Sequence, residues 1–226
     1  MEELLLENEV LDDLQCNGLK IIQNRQHYCF TSDSVLLANW LKLGHRDKVV
    51  EFCSGSGVIS FLANAKNNPQ KIVGFELDTY LCDMSKRSVV YNKVNNITFE
   101  NCDLSLAKDV VGRECVDVVI CNPPYFILKK DEKINQKYLN AKYETSTSLD
   151  KIFKSANEIL KYSGKMFMEH TPSRIQEVLS VALQYKFVCK NIVFVYPKNK
   201  NEARLVMFKF VKHGNNGLVV EKPIYD

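Results

Sequence analysis

With 226 residues, 46% of them hydrophobic and 25% charged, the chain can bury one good core, and no apolar run reaches the roughly 18 residues of a membrane span. The start, Met1-Glu2-Glu3-Leu4, is acidic where a signal peptide is basic, and eight scattered cysteines form no CxxC pair. These features argue against a disulfide framework and a zinc site, and lead to the expectation of a reduced, cytoplasmic protein without membrane or metal.

In chain order, residues 19–22 and 28–30 are expected as short strands around a polar turn. Thr31-Ser32-Asp33-Ser34 then offers N-cap candidates for an apolar helix over 35–41. Lys48–Phe52 reads as a buried strand, followed by a helix over 57–65. Strands are expected at Lys71–Glu76, Ile97–Asn101 and Val116–Cys121, with a helix over 78–94 between the first two. Residues 149–161 read as helix, 165–169 as strand and 172–185 as helix, with Pro172 near its start. Two β-rich runs, 189–196 and 203–211, close the series around a lysine-rich turn. Strands alternating with helices imply an α/β fold: a doubly wound, mostly parallel sheet with an antiparallel hairpin at one edge. Ligands of such sheets bind at the carboxyl ends of the strands.

Glu51-Phe52-Cys53-Ser54-Gly55-Ser56-Gly57 joins the first buried strand to its helix. Glycines there let backbone approach a ligand closely, though dinucleotide-binding proteins use such turns too. Glu76 ends the next strand 21 residues after Gly55, placed to accept both hydroxyls of a ribose. Asp103 follows the third strand, where a carboxylate can meet an adenine amino group. Three carboxylates at adjacent strand ends suit a cationic adenosyl cofactor and repel a pyrophosphate. Any one of them alone is equally an ordinary helix cap.

Asn122-Pro123-Pro124-Tyr125 begins where the strand Val116–Cys121 ends. The lone pair of an aryl or amide nitrogen is delocalised, so the nitrogen reacts only if its N–H groups donate to fixed acceptors as the methyl arrives. Asn122 offers a side-chain carbonyl oxygen, and Pro123 a backbone carbonyl whose direction is restricted by its ring and by Pro124. Tyr125 offers a flat face for stacking on a base. These residues point to methylation of a planar amino group without an ionised general base. Pro-Pro after a strand is also an ordinary loop stop.

Together, the glycine turn, the strand-end acids and Asn-Pro-Pro-Tyr resemble class I S-adenosylmethionine-dependent methyltransferases, with their Rossmann-like seven-stranded sheet. Over almost the whole chain the sequence resembles the bacterial tRNA1(Val) adenine-37 N6-methyltransferases, in Phe30-Thr31-Ser32-Asp33-Ser34-Val35-Leu36-Leu37-Ala38, in Asn122-Pro123-Pro124-Tyr125-Phe126, and in 197–206 and 223–226. The resemblance implies a single domain over 1–226, with 1–47 an extension covering the cofactor site. It implies S-adenosylmethionine held by Asp33, Glu51, Cys53, Gly55, Gly57, Glu76, Leu77, Asp103, Leu104 and Asn122. The catalytic set is Asn122, Pro123, Pro124 and Tyr125. Phe126, Lys129, Lys130, Lys142, Lys198, Lys200 and Arg204 are expected to hold the tRNA. Two departures stand out: Cys53 where the superfamily usually has glycine, and Ala141-Lys142-Tyr143-Glu144 where the family shows Ala-Arg-His-Glu, losing the bidentate fork of arginine.

Charge is unevenly spread. Residues 186–213 carry +6 and 126–142 carry +3, leaving −6 on the remainder. This asymmetry fits a polyanion held on one face, and fits solvated surface lysines equally well. An unpaired anticodon-loop base also costs less to extrude than one in a duplex. His27 and His170 are expected as structural or surface residues, and Tyr28 and Phe30 as strand core. Rival readings are a protein-glutamine N5-methyltransferase, a DNA adenine methyltransferase, and a cofactor- or RNA-binding module without turnover.

Overall fold

The fold is known from a computed structural model that describes residues 4–125 and 147–226. A hairpin comes first, β1 (Glu9–Asp13) antiparallel to β2 (Lys20–Asn24). Next is α1 (Ser32–Trp40), and then strands and helices alternate: β3 (Lys48–Phe52), α2 (Val58–Asn67), β4 (Lys71–Glu76), α3 (Thr79–Asn92), β5 (Ile97–Asn101), α4 (Ala107–Val111) and β6 (Val116–Cys121). The series continues with α5 (Leu149–Ile159), β7 (Leu160–His170), α6 (Ile175–Gln184), β8 (Phe187–Tyr196) and β9 (Leu205–Lys212). Two-residue strands β10 (Val219–Val220) and β11 (Ile224–Tyr225) run parallel to β8.

The main sheet has the order β8-β9-β7-β6-β3-β4-β5. Strands β3 to β7 are parallel, and β9 lies antiparallel between β7 and β8. The doubly wound sheet of seven strands, with its antiparallel hairpin, is therefore present. Strand pleating sorts the apolar residues between two helical layers. Val118, Ile120 and Phe167 pack with α1 and α2, while Val119, Cys121, Met166 and Met168 pack with α5 and α6. No helix among the described residues is long and apolar enough to cross a membrane.

From β3 the chain winds outward to β5, then returns to β6 on the other side of β3. That reversal is the topological switch point, and it leaves a crevice beyond the carboxyl ends of β3 and β6. The hairpin packs against α3. Arg87 of α3 holds the buried Glu9 through two bonds of 2.6 and 2.7 Å, Tyr80 donates to the same carboxylate at 2.8 Å, and Ser88 accepts from Ile22 N at 2.9 Å. The Arg87 guanidinium and the other donors outweigh the burial that would raise it, so the Glu9 carboxyl titrates below its usual range.

Several boundaries differ from the sequence-based expectation. Residues 28–30 form no strand; β2 pairs instead with β1, whose Glu9, Asp12 and Asp13 hide it from an apolar pattern. Strand β7 starts at Leu160, directly where α5 ends, rather than at residue 165. The single-turn α4 is too short to leave a periodic signal.

Candidate active site

A cavity of about 300 Å³ opens at the switch point, lined by the ends of β3, β4 and β6, the segment after β5, and residues 28–34. Eight of the ten residues expected to hold a cofactor line it: Glu51, Cys53, Gly55, Glu76, Leu77, Asp103, Leu104 and Asn122. Gly57 and Asp33 do not. Gly57 is required for packing: at φ +84° it starts α2, and a Cβ there would meet the Phe99 ring at 2.5 Å. Gly55, at φ +53°, has open space where a Cβ would lie, so its backbone borders the cavity directly.

Two of the acids brace this turn. Glu76 accepts from Gly55 N at 2.7 Å and from Asp78 N at 2.9 Å, tying the glycine turn to the end of β4. Burial raises its pKa above the ordinary carboxylate value, against the pull of those N–H groups. Glu51 accepts from Ser60 N at 3.0 Å and from the Ser60 hydroxyl, and burial pushes its pKa up to about 8. Asp103 is committed differently. It caps the short 3-10 turn after β5 by accepting from Ser105 N at 2.9 Å, and it forms an ion pair with Lys151 of α5. Burial acts to raise its pKa, and Lys151 with the Ser105 donors brings it below the usual value.

The residues present fit an adenosyl cofactor. Glu76 keeps lone pairs for a hydroxyl pair, carboxylates face the cavity, the Gly55 backbone leaves room, and the buried Ser54 hydroxyl lacks a partner among the described residues.

Cys53 has φ +56°, the left-handed region in which a Cβ is strained. This chain therefore holds Cys53 under backbone strain, at a position whose conformation glycine would adopt freely.

Asn122, Pro123, Pro124 and Tyr125 form one lip of the cavity. Asn122 Nδ2 donates to Ser34 Oγ at 2.9 Å, and Tyr125 OH donates to Asp33 Oδ2 at 3.0 Å. The other Asp33 oxygen pairs with Arg204, whose Nε also donates to Asp226 at 3.2 Å. Asp33 thus braces Tyr125 instead of lining the cofactor cavity. Arg204, expected on the tRNA, is occupied by Asp33 and Asp226. Tyr125 lies 5.7 Å from the buried His170 ring, and burial lowers the His170 pKa to about 4, keeping it neutral. Beside it, the fully buried Glu169 has neither carboxyl oxygen hydrogen-bonded among the described residues. Burial, with Asp33 nearby, raises its pKa well above the carboxylate range.

Tyr28 and Phe30, expected as strand core, line the cavity, as do Thr31 and Ser34. No periodic signal marks these positions. His27 stacks on Tyr80 at 4.3 Å, a packing role. Lys198 and Lys200 are exposed in the β8–β9 turn. Because His170 pairs with Val206, that turn lies at the cavity end of the sheet. Phe126, Lys129, Lys130, Lys142 and the 141–144 segment lie outside the described residues.

Residues 30–192 match the methyltransferase small domain. The chain is 34% identical over 132 residues to a Methanocaldococcus jannaschii protein provisionally named as a protein N5-glutamine methyltransferase; that match covers 58% of this chain and 63% of the relative, under two thirds of its length. It is 23% identical over 202 residues to a Shewanella baltica tRNA1(Val) (adenine(37)-N6)-methyltransferase, covering 87% of this chain and 80% of that one. Among solved structures, a predicted O-methyltransferase of Agrobacterium tumefaciens superposes with a TM-score of 0.67 at 17% identity, covering 85% of this chain and 86% of that one. The M. jannaschii TYW2 in complex with AdoMet superposes at 0.61 and 16%, covering 92% and 88%. These last two likenesses concern the fold alone. With residues 30–192, well over half its length, matching the methyltransferase small domain, the chain belongs to that family.

Proposed function

We propose that this protein methylates the N6 amine of an adenine in a tRNA anticodon loop, position 37 of tRNA1(Val), with S-adenosylmethionine as donor. The observation that carries the reading is the Asn122-Pro123-Pro124-Tyr125 lip over an acid-lined cavity, with the Asn122 amide nitrogen already tied to Ser34. Glu76 is suited to the ribose hydroxyls, Asp103 stands ionised beside Lys151, and Glu51 is a carboxyl that a cationic ligand can draw into its ionised form. Bound there, S-adenosylmethionine supplies an electrophilic methyl group on a sulfonium.

Asn122 Oδ1 and the Pro123 carbonyl accept the two N–H groups of the target amine, turning its lone pair out of conjugation and toward the methyl. Tyr125 stacks on the base and fixes its plane. As the N–C bond forms, the methyl–sulfur bond would break with its electron pair left on sulfur as a neutral thioether, and the nitrogen, now carrying the positive charge, releases its extra proton to water. An ionised base is unnecessary, and His170, held neutral behind Tyr125, backs the ring. Residues 1–47 act as the extension that closes over the cofactor, with Tyr28, Phe30 and Thr31 at its inner face. Lys198 and Lys200 at the cavity end of the sheet, together with the lysines of 126–142, supply cations for the phosphates of the anticodon arm. A tRNA-modifying role places the protein in the cytoplasm, consistent with eight free cysteines.

The test is incubation with labelled S-adenosylmethionine and, in parallel reactions, total tRNA from a strain lacking the enzyme or purified release factor, with mass-spectrometric mapping of the methylated residue. Label at an anticodon-loop N6-methyladenosine is expected. Label in a release factor but not in tRNA establishes instead the glutamine reading, which the 34% identity to the M. jannaschii protein favours.

A further inference from the structure

The first turn of α1 is built from the residues that usually cap a helix, yet Thr31, at its N-cap, makes no side-chain capping bond. An unused cap of this kind costs about 1 kcal/mol. The next polar side chains are directed to distant partners instead. Ser34, 5% exposed, accepts from Asn122 88 residues away, and Asp33, 8% exposed, accepts from Tyr125 92 residues away. Arg204 in turn holds Asp33, and Asp226 holds Arg204. A buried hydroxyl and a buried carboxylate on adjacent residues therefore grip both functional side chains of one loop.

We propose that Ser34 and Asp33 are positioning residues for methyl transfer. By accepting from Nδ2, Ser34 holds the Asn122 side chain at the lip with Oδ1, the acceptor, left for the target amine. The opposite amide orientation would set a donor against the amine's own N–H groups. Asp33, steadied by Arg204, fixes the Tyr125 hydroxyl and hence the plane of its ring. Neither residue touches the reacting atoms; each acts through the group it holds. The inference rests on the assignment of Asn122 and Tyr125 to the target base.

The test uses the full chain with tRNA as substrate. Ser34→Ala should lower kcat about tenfold to a hundredfold, the range associated with small misplacements of a reacting group. The dissociation constant for S-adenosylmethionine, read by calorimetry, should stay within about twofold. For the second contact, Tyr125→Phe and Asp33→Asn are combined in a double-mutant cycle on kcat, because a shared contact makes their effects less than additive. Tyr125→Phe removes one oxygen and keeps the ring, so it reports on the contact even if Ser34→Ala folds poorly. Wild-type kcat in folded Ser34→Ala, or strict additivity in the cycle, overturns the proposal. Absence of wild-type transfer to tRNA overturns the functional assignment beneath it instead.

Discussion

The two halves of the cavity are held in different ways. On the cofactor side, Glu51 and Glu76 are tied to residues within 25 positions of themselves: Ser60 for Glu51, Gly55 and Asp78 for Glu76. On the target side, Asn122 and Tyr125 depend on α1, and α1 depends on Arg204, 171 residues from Asp33. The bracing of Glu51 and Glu76 is a property of one strand-turn-helix unit and its neighbouring strand, and only Asp103, paired with Lys151 of α5, reaches beyond it on that side. The second half exists only when the amino-terminal segment, the middle of the chain and its last strands have come together. Cofactor binding should therefore survive damage that stops transfer.

The sharpest break between the halves is expected at Asn122. Asn122→Ala removes one of two acceptors for the amine and should lower the transfer rate at least about a hundredfold, by analogy with loss of a preorganised polar contact to a transition state. Calorimetric titration should find S-adenosylmethionine affinity within a few-fold of wild type. Loss of that affinity would place Asn122 on the cofactor side and merge the two halves.

The same division governs what the sequence made legible. Glu51, Glu76 and Asp103 stand at strand ends, and strand ends are fixed by short apolar runs and by the turns that follow them. Asn122-Pro123-Pro124-Tyr125 is legible as chemistry for the same reason. The roles of Asp33, Ser34 and Arg204 were not, because each is set by a contact spanning tens of residues or more. Thr31 to Ser34 read as a helix cap, the commonest use of such residues, while the fold gives two of them to the loop. Arg204 read as an RNA contact because its charge was visible and its two carboxylate partners were not. Lys151, 48 residues from Asp103, went unseen likewise. Tyr28 and Phe30 read as strand core because aromatic residues favour strands, and tertiary packing overrode that preference.

A second perturbation should act in the opposite sense to Asn122→Ala. Glu76 joins two backbone N–H groups to the position proposed for the ribose. Glu76→Gln replaces charged acceptors with one weaker neutral one and sets the amide NH2 against the other backbone N–H, donor against donor. Charge-assisted bonds of this kind contribute about 1.5–3 kcal/mol, so S-adenosylmethionine should bind about tenfold to a hundredfold more weakly. At saturating cofactor, kcat should change little. A large fall in kcat under saturation would show that the cofactor side also positions the target.

A gentler handle is proton linkage. Burial raises the Glu51 pKa to about 8 in the free protein, so the group is largely protonated at pH 7. A cationic ligand favours the ionised form, so binding lowers this pKa and releases a proton. Affinity for S-adenosylmethionine should therefore rise with pH up to about 8 and level off above it. Glu51→Gln should flatten part of the profile, measured as dissociation constants between pH 6 and 9. A mutant slope equal to that of wild type would remove Glu51 from the binding event.

The smallest effect concerns the turn itself, where the cofactor side holds a local strain. Cys53 has φ +56°, a conformation costing a residue with a Cβ roughly 1–2 kcal/mol. Cys53→Ala and Cys53→Gly lose the same sulfur contacts, but only glycine relieves the strain. Against this, glycine loses more backbone freedom on folding, by about 0.5–1 kcal/mol relative to alanine. The difference leaves Cys53→Gly more stable than Cys53→Ala by at most about 1.5 kcal/mol, the reverse of the order found in a helix or strand. Urea denaturation of the two variants decides the matter. Alanine more stable than glycine would mean that the turn relaxes out of the left-handed region, and that its backbone is set by the cysteine side chain as much as by the neighbouring Gly55 and Glu76.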